Sequence, residues 1–125
     1  MMHPPLAVSP ELFDALDLPS IAAELSELAR SAPDGKAART LVKSPQLTVV
    51  AMGLKSGATL KEHAAPGTVL VVPILGRVTF AALGSGAEAN VEARRCLAMG
   101  PGLRHAVTAS DDAVFLLVIA ARPDA

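Results

Sequence analysis

From residue 37 onward the chain is a series of short apolar segments separated by glycine and proline turns. The segments read ARTLVKS, QLTVVAMGLK, TVLVVPIL, RVTFAAL, ANVEAR, CLAMG, HAVTA and AVFLLVIAA. Turn signals such as Ser56-Gly57, Pro66-Gly67 and Gly84-Ser85-Gly86 lie between them. Short, evenly spaced strands without a helix-length pattern between them predict an antiparallel sandwich or barrel and disfavour a βαβ fold.

The first 36 residues have a different pattern, which predicts a helical segment (1–36) ahead of a β-barrel domain (37–125). The letters SPE at 9–11 predict a helix start with Ser9 as its cap. A further helix is predicted over IAAELSELARSA, before the turn letters PDG. Its apolar face is predicted from three residues at helical spacing: Ile21, Leu25 and Leu28.

Charge and composition exclude several classes of protein. The net charge is −1, and the 11 basic and 12 acidic residues form no basic stripe. With three phenylalanines and no Trp or Tyr to stack on bases, nucleic-acid binding is not expected. No apolar run approaches the roughly 20 residues of a membrane-spanning helix, and no signal peptide is readable, so a cytoplasmic location without membrane contact is expected. The single cysteine, Cys96, excludes an internal disulfide and is interpreted as a small core residue.

Two of the predicted strands, VLVVPIL and VFLLVIA, are apolar on both faces. A small closed barrel buries only its inner face, so the outer face needs the N-terminal helices or a second subunit. The outward side of the first strand is predicted to carry three residues: Leu70, Val72 and Ile74. We therefore expect a homodimer that packs sheet against sheet.

Two of the three histidines follow glycine turns and stand next to these apolar segments. Gly57 is followed by five residues and then His63, and Gly76 lies at the end of the strand beyond it. The second histidine, His105, comes three residues after Gly102. Turn glycines at both places indicate that each histidine stands where a turn enters a strand.

This arrangement resembles the two motifs of the cupins over about residues 39 to 121. The first motif reads Gly, five residues, His-x-His, three or four residues, Glu, six residues, Gly; the second is close to Pro-x-Gly-x-x-His. The resemblance implies an all-β, cupin-type jelly-roll barrel (a double-stranded β-helix) after a short helical N-terminal segment. It also implies that His63 and His105 lie on neighbouring strands and converge inside the barrel.

The resemblance is incomplete at the metal ligands. Metal-binding members use two His and one Glu from the first motif and one His from the second. Here Ala65 and Val69 stand at the second His and the Glu positions, which leaves His63 and His105. Zinc and iron sites usually need three or four protein ligands. The sequence therefore predicts no resident cofactor, or at most weak binding of Zn, Fe, Mn or Ni completed by water or a ligand.

Three functional hypotheses follow. The first is a small-molecule-binding or sensory cupin with an incomplete metal-ligand set. Its ligand pocket is predicted to be lined by His63, Val69, Val71, Leu75 and His105, which makes it mostly apolar with two polar points. The second is a metal-dependent cupin enzyme of the dioxygenase or isomerase class with non-standard ligands. The third is an interaction module that uses its apolar outer surface. Whether the protein is an enzyme, and which ligand it binds, stay open from sequence alone.

Overall fold

The computed structural model describes residues 3–120, which form one helix and two antiparallel sheets. The elements are α1 (Leu18–Ser31), β1 (Lys36–Lys43), β2 (Leu47–Leu54), β3 (Thr59–Ala64), β4 (Val69–Leu75), β5 (Arg77–Ala82), β6 (Glu88–Glu92), β7 (Leu97–Met99), β8 (Arg104–Ala109) and β9 (Ala113–Ala120). The five-stranded sheet has the order β1-β2-β9-β4-β7, and the four-stranded sheet has the order β3-β8-β5-β6. The predicted all-β class with a helix near the N-terminus is confirmed. The predicted limits of 1–36 and 37–125 include residues 1–2 and 121–125, which lie outside the described part.

The apolar residues form two separate clusters because the strands of the five-stranded sheet are apolar on both faces. The larger cluster lies between the two sheets and includes the fully buried Phe115, Val71 and Val107. The second lies between α1 and the outer face of the five-stranded sheet, where Leu25 packs with Val114. Neighbours in β9 therefore serve different clusters, since successive side chains of a strand point to opposite faces.

Helix α1 begins after Asp17, whose side chain accepts a hydrogen bond from the backbone N–H of Ser20 at 3.2 Å. Its buried face is formed by Ile21, Ala22, Leu25, Ser26 and Ala29. The prediction that Leu28 belongs to this face is wrong, because Ala29 follows Leu25 by one turn and Leu28 is 51% exposed. Among residues 3–120, no helix is long and apolar enough to span a membrane.

The predicted helix start at residues 9–11 is also wrong. The backbone N–H of Leu12 donates to the Ser9 carbonyl, and the N–H of Glu11 donates to the Ser9 hydroxyl, which closes a single turn. Residues 12–17 then continue without regular structure, and Phe13 is 98% exposed. A helix this short is marginal unless an apolar face packs on the domain, and this stretch buries none of its residues fully.

Strand β3, which carries His63, was not among the predicted segments. Its letters TLKEHA alternate poorly, and every residue except Leu60 is exposed. It lies at the edge of the four-stranded sheet, with an irregularity in its pairing between Leu60 and His63. An edge strand needs neither two buried faces nor a regular alternation of side chains, so hydrophobic periodicity does not detect it.

Candidate functional site

His63 and His105 lie directly opposite each other on β3 and β8. Their ring centroids are 4.2 Å apart, and the ring planes meet at 61°. His105 is 4% exposed, whereas His63 is exposed at the mouth of the barrel. The prediction that the two histidines converge is confirmed. Their pairing across two hydrogen-bonded strands accounts for the short distance, since opposite side chains in such a ladder lie only about 5 Å apart at Cβ.

Backbone carbonyls hold both imidazole rings in the same way. Nδ1 of His63 lies 2.8 Å from the Lys61 carbonyl oxygen, and Nδ1 of His105 lies 3.0 Å from that of Leu103. A carbonyl can only accept, so Nδ1 is the donor in each ring. In the neutral imidazole this leaves Nε2 as the acceptor. The site therefore presents two hydrogen-bond acceptors close together.

Burial determines the charge of the inner histidine. It lowers the pKa of His105 below the ordinary value, and a positive charge on the neighbouring His63 would lower it further. The hydrogen bond to the Leu103 carbonyl opposes these effects only in part. Phe80 stacks on the His105 ring at a centroid distance of 5.9 Å, which adds to its apolar surroundings. His105 is thus neutral at pH 7.

The two histidines stand in the wall of a cavity of about 40 Å³ between the sheets. The remaining wall is apolar and comprises Leu60, Pro66, Val69, Phe80, Met99, Val107, Phe115, Leu117 and Ile119. This agrees with the expected mostly apolar pocket with two polar points. The contributions of β9 could have been found from sequence, because Phe115, Leu117 and Ile119 alternate along one strand. Nothing in the pattern indicated Met99 or Phe80.

Only one of the three aliphatic residues predicted to line the pocket lies in the cavity wall. Val69 lies in the cavity wall. Val71 is fully buried in the same cluster but is not part of the wall. Leu75 is 39% exposed and lies beside α1 instead. The pairing of β4 with β9 shifts register between Pro73 and Leu75, and this irregularity interrupts the alternation that the prediction assumed.

The residues around the histidine pair do not fit a complete metal site. Among residues 3–120 no group of three or more His, Cys, Asp or Glu side chains comes together. Val69 stands in the wall where the resembling motif has Glu, and the fully buried Ala65 stands where it has His. Glu62, next to His63, pairs with Arg104 at 2.5 Å. Cys96, predicted to be a core residue, is exposed directly before β7 and brings no thiol to the site.

Comparison with known proteins relates this fold to solved structures. No protein-family model matches the sequence, and no curated protein matches it. A conserved protein of unknown function from Streptococcus pyogenes, SPY1581, is 26% identical with a TM-score of 0.65, covering 75% of this chain and 80% of that one. An RmlC-like cupin from Desulfovibrio desulfuricans is 20% identical with a TM-score of 0.63, covering 92% and 97%. A cupin superfamily protein from Desulfitobacterium hafniense is 13% identical with a TM-score of 0.67, covering 78% and 87%. The chain therefore has the cupin fold, a double-stranded β-helix.

Proposed function

We propose that this protein binds a small neutral molecule in the cavity between its sheets. The observation that carries the proposal is the histidine pair, whose rings lie 4.2 Å apart in an otherwise apolar wall. With both Nδ1 atoms held by carbonyls, the two Nε2 atoms are the acceptors that a ligand can use. The ligand therefore has a hydrogen-bond donor at one end and an apolar body, and the function is binding or sensing.

The size and polarity of the cavity restrict the ligand further. Pockets for drug-sized ligands usually have volumes of roughly 300–1,000 Å³. A volume of about 40 Å³ suits a molecule of only a few non-hydrogen atoms. A charged ligand would lose its hydration in an apolar wall that offers no charged partner, at a high cost in free energy. A small neutral alcohol satisfies all three conditions, because it has a donor group on an apolar body, only a few non-hydrogen atoms and no charge.

The test is a titration with 1-propanol, followed through the methyl resonances of the protein. We expect saturable shifts confined to wall residues such as Leu60, Val107 and Ile119. An alcohol has one O–H to donate, so replacing both histidines together (His63→Phe with His105→Phe) should weaken binding about fivefold, because one neutral hydrogen bond contributes about 1 kcal/mol. His3→Phe is the matched control, since His3 lies outside the cavity. Shifts that do not saturate, or that spread over the outer surface, would contradict the proposal.

A second candidate is a metal-dependent enzyme of the dioxygenase or isomerase class with non-standard ligands. One observation favours it: histidines that bind metals usually donate their other ring N–H to a carbonyl or carboxylate, as both rings do here. Two imidazoles alone are one or two ligands short of a usual site. We therefore place it second.

Metal binding by matched variants at Val69 distinguishes the two candidates. Val69→Glu adds a carboxylate beside the histidine pair, whereas Val69→Gln adds a side chain of the same shape without the charge. We expect tighter uptake of Zn²⁺ and Mn²⁺ by Val69→Glu than by Val69→Gln or the parent, measured by calorimetry. Near-stoichiometric metal in the purified parent, lost in His63→Ala, would instead favour the enzyme.

A further inference from the structure

A second cavity, of about 120 Å³, lies beside the first. It is found where β6 and β7, the edge strands of the two sheets, face each other. Its wall comprises Phe80, Ala82, Ala87, Glu88, Ala89, Leu97, Ala98, Met99, Leu103 and His105. Most of these are apolar, and the one carboxylate, Glu88, is on an exposed residue at the surface. This second cavity therefore offers apolar space that opens to solvent at a place away from His63.

Three residues line both cavities and form the partition between them: Phe80, Met99 and His105. Each is 5% exposed or less, and the two cavities on either side of them are separate volumes in this structure. Phe80 is held on two sides, by the His105 ring at 5.9 Å and by the Phe115 ring at 5.8 Å. His105 is held by its hydrogen bond to the Leu103 carbonyl. Neither ring can move without losing these contacts.

Met99 is the part of the partition that can move. Its side chain is unbranched, with three rotatable bonds, and methionine readily adapts to irregular space. It ends β7, a strand of three residues at the sheet edge that pairs only with β4 among the strands described. A change of Met99 rotamer costs little compared with displacing a stacked ring. Such a change would join the two cavities.

We propose that Met99 is the movable part of the partition, and that the ligand is an unbranched aliphatic molecule lying across both cavities. Its donor group binds at the histidine pair, and its chain passes Met99 into the second cavity. This proposal rests on the proposed function and deepens it. The ligand is now longer than the first cavity, the one at the histidine pair. The chain must be neutral and apolar, since the passage carries no charged group before the exposed Glu88.

A series of primary alcohols from 1-propanol to 1-octanol tests the proposal by NMR titration. Each added methylene that becomes buried should tighten binding about fourfold. We expect the parent to gain affinity from 1-propanol to at least 1-hexanol, with shifts spreading from Ile119 to Ala89. Affinity that stays flat beyond 1-propanol would overturn the proposal and leave the proposed function intact. Failure of 1-propanol itself to bind would instead remove the proposed function.

Two variants of Met99 make the test specific. Met99→Ile keeps an apolar side chain but stiffens it at χ1, so 1-propanol should still bind while most of the gain for 1-hexanol disappears. Met99→Ala shortens the movable part of the partition, so this variant should bind 1-hexanol more tightly than the parent does. Met52→Ile is the matched control, because Met52 packs against the same core but lines neither cavity. Equal chain-length profiles for the parent and both Met99 variants would also overturn the proposal.

Discussion

The inner and outer faces of the five-stranded sheet are both apolar, yet they are covered in different ways. The inner face, with Phe115, is covered by the second sheet along its length. The outer face, with Val114, is covered by the 14 residues of α1, which pack mainly on β1 and β2. Inside, the second sheet leaves a buried core with two cavities. Outside, incomplete cover leaves apolar side chains at the surface. The same sequence pattern thus yields the proposed binding site on one face and a candidate interface on the other.

The uncovered part of the outer face lies away from α1. Leu70 is 40% exposed and Leu47 is 38% exposed, while Val72 and Val118 are partly exposed. An apolar strip of this kind is costly in water, and contact with another protein would remove that cost. We propose that a second copy of the chain covers it in a symmetric dimer, with the two five-stranded sheets facing each other.

Four experiments test the two faces independently. The largest effect on stability is expected in the inner core. Phe115→Ala removes a fully buried ring and should lower the free energy of unfolding by about 3–5 kcal/mol. Urea denaturation measures this change. Phe13→Ala is the matched control, because Phe13 is 98% exposed and its loss should change stability by less than about 0.5 kcal/mol. Equal losses would mean that the inner face is not the main core.

The contact between α1 and the outer face is tested at Gly53. A Cβ there would lie 2.7 Å from the Leu25 carbonyl oxygen, a backbone atom that cannot move alone. Gly53→Ala should therefore push the helix outward and lower the free energy of unfolding by about 1–3 kcal/mol. Gly100→Ala, which meets nothing within 4 Å, is the control. A neutral Gly53→Ala would show that the helix is held loosely, contrary to the packing described.

The proposed dimer is tested by placing a charge on the outer face. Val72→Lys puts an ammonium group among the partly exposed apolar residues, so we expect the parent to sediment as a dimer and the variant as a monomer at micromolar concentration. Leu83→Lys is the matched control, because Leu83 is 39% exposed in the β5–β6 turn and should leave the dimer intact. A parent that is itself monomeric would refute the dimer.

The smallest expected effect is the pH dependence of stability that the buried His105 causes. Because burial lowers the pKa of His105, the unfolded chain binds this proton more readily than the folded chain does. The contribution of the neutral His105 ring to the free energy of unfolding is therefore fully present above the ordinary histidine pKa of about 6.5. This contribution is lost as the pH falls below that value. Urea midpoints measured from pH 8 to 5 should fall more steeply for the parent than for His105→Phe. Parallel profiles would mean that the ring is not effectively buried.

Prediction from the sequence succeeded where a residue pattern is compatible with only one kind of structure. The glycine turns and apolar strands indicated a barrel, and the resemblance to the cupin motifs implied that His63 and His105 converge. Prediction failed where contacts with residues distant in the sequence determine the local structure. Strand β3 is polar and depends on pairing with β8 alone. Leu75 leaves the cavity because of an irregular pairing with β9, which no local pattern reveals.

The sequence by itself determined the fold class, because side-chain alternation and turn residues are local properties. Its resemblance to the cupin motifs implied the approach of the two histidines and an incomplete set of metal ligands. Only the tertiary structure decided the volume of the cavity, the burial of His105 and the division of the apolar space by Phe80, Met99 and His105. These depend on distances between residues far apart in the chain. Packing sets such distances, and hydrophobic periodicity does not contain them.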